Sequence, residues 1–279
     1  MPDHSTALTT PLHDLDAWVR HFRAAEIPVL AGTAEAIEAM RTNEDEVDAN
    51  GIGQMIAGDP LMTLKVLAYY GTHKPQRVVT DAETVTAALV MMGISPFFGT
   101  FGVQPTIDRH LAGVPGALDG LREVIRRAHR GANFALAFAV HRMDHDAAVI
   151  HEAALLHGFA EMLLWCHAPA LALKIRRAQH DDPTLRSSTA QRAVLNIELA
   201  DLQQALMRSW RLPELLIRIA DERHAEQANV RNVLLAVRLA RHTAHGWDNA
   251  ALPDDVADIA ALLNLSSGAA LQLVRDVEH

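Results

Sequence analysis

Sixteen of the 279 residues are histidine, a large supply of side chains that ligate metals or exchange protons near neutral pH. His157 and Glu161 stand four residues apart, as do His141 and His145. On a continuous helix each pair would share a face, and imidazole with carboxylate at that spacing can chelate zinc. Two such ligands on one helix arise easily by chance in a histidine-rich chain. Solvated or core-satisfied histidines are therefore the plainer reading, and no native metal or other cofactor is expected. His151-Glu152 is followed by Ala153, Ala154 and Leu155, so the second histidine of His-Glu-x-x-His is missing. The single cysteine, Cys166, lies between Trp165 and His167. Helix neighbours point about 100° apart, which keeps His167 from serving that sulfur as a base. Cys166 is expected to be a small buried hydrophobe. One cysteine also rules out an intramolecular disulfide and any zinc site built from several thiolates of one chain. No Gly-x-Gly-x-x-Gly or Walker-type loop is present.

The charge balance narrows the partners. Lys and Arg total 25 against 34 Asp and Glu, a formal charge of −9. That sign opposes binding to phosphate backbones, so no nucleic-acid partner is expected. Arg122, Arg126, Arg127 and Arg130 recur at helical spacing beside apolar positions, which predicts a solvated helix face rather than a basic patch. Met1 to Thr10 is polar and has no apolar signal core. No apolar run is read as approaching the roughly 20 residues that span a bilayer. The expectation is a cytoplasmic protein without a membrane partner.

The elements that must position these groups have helical period almost throughout. Ile52 to Ile56 runs up to Gly58, and Asp59-Pro60 then predicts a fresh start, with the carboxylate capping free N–H groups and proline preorganised for the first turn. Thr80 and Glu83 have capping-box spacing ahead of Val85, Ala88, Leu89 and Met92, and Gly93 is the expected stop. Glycines and prolines between Ile94 and Gly120 predict a connector between two helical lobes, with a short helix near Ile107 to Leu111. A long helix is expected from Leu121 to about His141 and another from about Asp146 to Cys166. Further helices are expected to begin near Pro169, Ser188, Pro213, Glu226, Pro253 and Ser267. No alternating strand pattern, hairpin signal or fixed-period repeat appears, so the fold class is all-α.

Two stretches are more specific than helix propensity. One is Leu155-Leu156-His157-Gly158-Phe159-Ala160-Glu161, and the other runs from Glu198 through Trp210 and Pro213 to Arg223-His224. Together with Ile27-Pro28-Val29-Leu30, Asp59-Pro60-Leu61 and the helix ending at Gly93, they resemble the HDOD family, relatives of the HD metal-dependent phosphohydrolases found in bacterial signalling proteins. The resemblance covers about residues 20 to 245 in order. It implies an N-terminal helical lobe packed on an HD-like bundle, with lobes of about 20–115 and 120–245, an N-terminal segment 1–19 and a C-terminal helical extension 246–279. Whether residues 252–279 pack on the bundle or mediate association is left open by their periodicity.

The same resemblance says where chemistry would be. HD enzymes hold divalent metals with histidines and aspartates, the adjacent His-Asp pair at the centre. Here that slot reads His157-Gly158, without a carboxylate. His129 matches the family's upstream histidine. Leu199 falls where a histidine often stands, Arg223-His224 replaces a histidine pair, and Arg241 occupies an acidic slot. Each guanidinium within several ångströms of a divalent ion would repel it by some kcal/mol at an effective dielectric of about 20. The resemblance thus implies a non-catalytic signalling module acting through a protein partner or through a small anionic ligand, with His129, His157, Glu161, Arg223, His224 and Arg241 as cleft candidates. The alternative is a phosphohydrolase of nucleotides or cyclic dinucleotides with an altered ligand set. Trp210, before Leu212-Pro213, is expected to fill a corner of the core, and Trp247 to be the better partner contact. Tyr69-Tyr70 stands where the family commonly has Asn-Ser.

Overall fold

A computed structural model describes residues 7–74 and 82–278. Among these residues the protein is helical, and its one extended pairing is an isolated bridge between Val29 and Thr106. In chain order, α1 (Leu15–Ala24), α2 (Ala31–Thr42), α3 (Ala49–Ile56), α4 (Pro60–His73), α5 (Val85–Met92), α6 (Ile94–Thr100) and α7 (Ile107–His110) lead to the long α8 (Ala117–His141). Then come α9 (Ala147–Leu155), α10 (Phe159–His167), α11 (Pro169–Asp181), α12 (Ser187–Leu195), α13 (Leu199–Ser209), α14 (Glu214–Ile219), α15 (Ala228–His242), α16 (Leu252–Leu263) and α17 (Ser267–Asp276).

Asp59 has no exposed surface, and its carboxylate accepts from the backbone N–H groups of Leu61 (2.9 Å) and Met62 (3.1 Å) at the start of α4. It also accepts from the N–H of Leu30 (2.8 Å), tying the entry to α2 to the same cap. Burial raises the pKa of this carboxyl, and the backbone donors oppose that rise. The start of α5 differs from the expected capping box. Thr80 lies outside the described residues, and the hydroxyl that accepts from the N–H of Ala87 (3.2 Å) belongs to Thr84. Gly93 does end that helix, with φ +86°. The helix expected from about 146 to 166 is broken at Leu156-His157-Gly158 into α9 and α10. The whole stretch Ala147–His167 does reach the length and apolarity of a membrane span, contrary to the expectation from the sequence, but its window is 67% buried within the protein. That burial is the pattern of core helices.

The chain divides into two compact units that interleave in sequence, where two consecutive lobes were expected. The first comprises residues 1–124 and 158–212. In it α1 packs on α13, α3 on α5, and α10 on α4, α11 and α13. The glycine-rich stretch after residue 93 forms α6 and α7 inside this unit instead of a connector between lobes. Trp210 is buried against Phe159, with ring centroids 6.0 Å apart, filling the corner as expected. Gly71 makes this corner feasible: a Cβ there would lie 2.5 Å from the Arg211 carbonyl oxygen and closer still to that of Trp210.

The second unit comprises residues 125–157 and 213–279. Here α9 packs on α14 and α15, α15 on α16, and α16 on α17, so the C-terminal segment packs on the bundle. Its end is clasped. Arg130 donates to Glu278 (Nε–Oε1 2.7 Å) and to the Thr243 hydroxyl (2.8 Å). Trp247 donates its indole N–H to the other Glu278 oxygen (3.1 Å) under the guanidinium of Arg275. Trp247 is thus half-buried in an internal contact and is not a free docking residue. Among the four arginines expected on a solvated face, Arg122 pairs with Asp108 and Arg130 with Glu278, while Arg126 is exposed.

Because backbone oxygens cannot yield as a side chain can, Gly71→Ala should destabilise the protein by about 1–3 kcal/mol in urea unfolding. A change below about 0.5 kcal/mol, the scale of an ordinary surface substitution, would show that the crossing is looser than described.

Candidate functional site

His157 owes its position to the end of a helix. α9 closes when the Leu156 N–H donates to the Glu152 carbonyl (2.9 Å), and the His157 N–H then reaches back to Ala154 (3.3 Å). Gly158 follows as the first, half-in residue of α10, its carbonyl accepting from Met162 (3.1 Å). His157 therefore stands in a turn, outside α10, and the shared helix face assumed for His157 and Glu161 does not exist. The same holds for His141, the last residue of α8, and His145 beyond it.

From this turn the His157 ring reaches a carboxylate that the family slots did not indicate. Its Nε2 lies 3.1 Å from Oε1 of Glu222, a close electrostatic contact whose angle is poor for a hydrogen bond. Glu222 opens a 3-10 turn, Glu222–His224, which begins with Asp221 accepting from the N–H of Arg223 (3.2 Å). The His157 contact pulls the Glu222 pKa down, with Arg241 adding to the shift, while partial burial and the neighbouring Asp221 oppose it. His157 and Glu222 thus form one close pair within the second unit.

The neighbouring candidates are engaged locally. Arg223 forks onto Asp221, with Nε–Oδ1 at 2.8 Å and Nη2–Oδ2 at 2.6 Å, and this holds the buried Asp221 carboxyl below its usual range. The exposed His224 has Nδ1 3.5 Å from Glu226 Oε1. Burial lowers the His151 pKa on α9, and the nearby His129 of α8 adds to that lowering. Of the six candidates, His129, His157, Arg223, His224 and Arg241 belong to the second unit and Glu161 to the first. Leu199 is buried in the first unit. Asp221 and Glu222 were missed because they precede the matched Arg223-His224 pair; the run Asp221-Glu222 beside two basic residues was the available signal.

These residues do not fit a dinuclear metal centre of the HD kind. Position 158 has no side-chain ligand atom, and among the described residues no three His, Cys, Asp or Glu side chains converge as ligands. Of the arginines that could hold an anion, Arg223 is paired with Asp221 instead. A groove of about 500 Å3 in the second unit lies elsewhere, lined by His141, Leu265, Leu273 and Val277. Lack of space does not explain Gly158: its φ is −105°, and a Cβ would meet only Val124 Cγ1, at an ordinary 3.5 Å.

A family model described as HDOD domain matches residues 27–226. No curated protein matches the chain. Among solved structures, the MmoQ response regulator from Methylococcus capsulatus str. Bath shares 15% identity at a TM-score of 0.66, covering 90% of this chain and 98% of that one. A virulence factor from Campylobacter jejuni subsp. jejuni shares 14% identity at 0.60, covering 95% and 98%. At such identities the likeness is one of fold.

The open space at residue 158 has a measurable consequence. Aspartate is a better first-turn cap than glycine by a few tenths of a kcal/mol, so Gly158→Asp should leave unfolding stability within about 1 kcal/mol of the native chain. A loss above about 2 kcal/mol would mean that the position is closed to a side chain.

Proposed function

The chain belongs to the HDOD domain family, and from that premise we propose that it is a non-catalytic regulatory module of bacterial signal transduction that works in the cytoplasm by contacting a protein partner. The observation that carries this reading is the state of the key imidazole. Where an HD enzyme offers a cation a histidine and the next residue's carboxylate, this chain offers His157 facing Glu222, with hydrogen at residue 158. A divalent ion would have to compete with an existing internal pair and approach Arg241. Arg223 is already forked onto Asp221, which leaves less free positive charge for a small anionic ligand and favours protein contact over anion capture. The response-regulator name of the Methylococcus capsulatus protein supports a signalling role.

A second reading has one observation of its own. Glu222 supplies a carboxylate beside His157, and His129 and His151 belong to the same unit, so an altered ligand set for a phosphohydrolase is chemically conceivable. Elemental analysis of the purified protein, with a phosphatase and phosphodiesterase screen in manganese, separates the two. The proposal expects well below one metal per chain and no turnover above background. Stoichiometric Mn, Fe or Zn, with turnover lost in His157→Ala, would replace it with the hydrolase.

A further inference from the structure

Three other histidines meet in the first unit. His21 comes from α1, His110 from α7 and His167 from the end of α10. The His167 ring packs edge-on against His110 (centroids 5.2 Å apart) and His21 (6.1 Å), with Phe22 at 5.9 Å closing the side. His167 is 4% exposed, and the Nε2 atoms of both His167 and His21 are buried without a hydrogen-bond partner. His110 reaches the same spot from the surface, its Nε2 2.9 Å from the Cys166 carbonyl. Buried polar atoms left unpaired in this way are uncommon and costly. A proton added to either orphan nitrogen would create a buried donor without an acceptor, beside two further imidazoles.

We propose that His21, His110 and His167 form an acid-sensitive latch on the N-terminal strap, residues 8–24, which loosens from the first unit when the imidazoles become charged. Besides the packing of Trp18 and Phe22 of α1 against α13, three hydrogen bonds among the described residues hold the strap. The Leu8 N–H donates to the His167 carbonyl (2.8 Å), Asn196 Nδ2 to the Leu12 carbonyl (3.0 Å), and the buried Trp18 indole to the Leu195 carbonyl (3.0 Å). The first hold is on His167 itself, and α1 carries His21 into contact with it. Charging the cluster thus acts on both the strap and its anchor.

Among the described residues no carboxylate acts on His167 to stabilise its charge. The Glu26 group that bonds His167 is its backbone carbonyl, while the Glu26 side chain holds Lys65 Nζ at 2.6 Å. On α1, Asp16, Arg20 and Arg23 are exposed. On α7, Asp108 pairs with Arg122 and Arg109 is exposed. Asp201 and Arg208 of α13 and Lys174, Arg176, Arg177 and His180 of α11 are exposed as well. On α4, Asp59 acts on the neighbouring Cys166. Burial, and then the charges of His110 and His21, push the His167 pKa down to about 4, and burial also lowers that of His21. An unfolded or released histidine titrates near 6.5. The closed state therefore binds fewer protons, so its advantage is complete above pH about 6.5 and is lost as pH falls from there toward about 4.

Cys166, the single cysteine, is buried beside His167 and reports on the latch. The full chain would be treated with 4,4′-dithiodipyridine, a thiol reagent that remains active in acid, and its rate compared with that of the unfolded chain at the same pH. Between about pH 7.5 and about pH 5 the protection of Cys166 should fall about tenfold or more, since each pH unit below the free-histidine value is worth about a factor of ten per proton. Far-UV circular dichroism should keep its helical signal. His167→Met should hold protection at about pH 5 within about threefold of its value at about pH 7.5; His21→Leu, at a half-buried site, decides the matter if the first variant does not fold. Unchanged protection in the native chain would overturn the proposal. So would an acid response that persists in the folded variants, which would assign it to Asp59.

Discussion

The divalent cations of an HD centre are balanced by anionic oxygen, and in the HD pair that oxygen comes from the residue after the key histidine. Residue 158 of this chain contributes a hydrogen atom instead. The negative charge near His157 arrives from Glu222, on another segment of the same unit. Asp221 is likewise committed to Arg223. His157 and Asp221 thus already have partners of opposite charge within the same unit.

That pairing depends on ordinary helix-end chemistry. The turn at Leu156-His157-Gly158 aims the imidazole because α9 ends there, and the 3-10 turn at Glu222–His224 aims the carboxylate because Asp221 caps it. Around them α14, α15, α16 and α17 are packed in sequence, and the Arg130–Glu278–Trp247 contacts fix the end of the chain. In the first unit Asp59 plays the organising part, one carboxylate serving the start of α4 and the entry to α2. It is stabilised by backbone donors and remains costly to bury, which is why a residue with so many bonds still has a raised pKa.

Local signals in the sequence were legible wherever a side chain acts on its own backbone. Asp59-Pro60, the Gly93 stop and the short helix near Ile107 are all found. The break inside 146–166 was missed because apolar periodicity continues across it, and only Gly158 marks the interruption. Interleaving of the two units was hidden for a different reason: long-range packing of residues 158–212 with the first 124 leaves no trace in local pattern. The site showed the same divide. The lack of an acid at 158 was plain, while the Glu222 contact depends on two turns meeting through tertiary structure. Trp247 looked available from its neighbours and is engaged through Glu278 at the far end of the chain.

The charge at residue 158 is the point on which the functional reading turns, and an electron paramagnetic resonance titration of Mn2+ into the native chain addresses it directly. The account predicts that the six-line signal of free Mn2+ rises in proportion to added metal, with no saturable site below about millimolar concentration. Stoichiometric loss of that signal at micromolar metal, restored in His157→Ala, would contradict it.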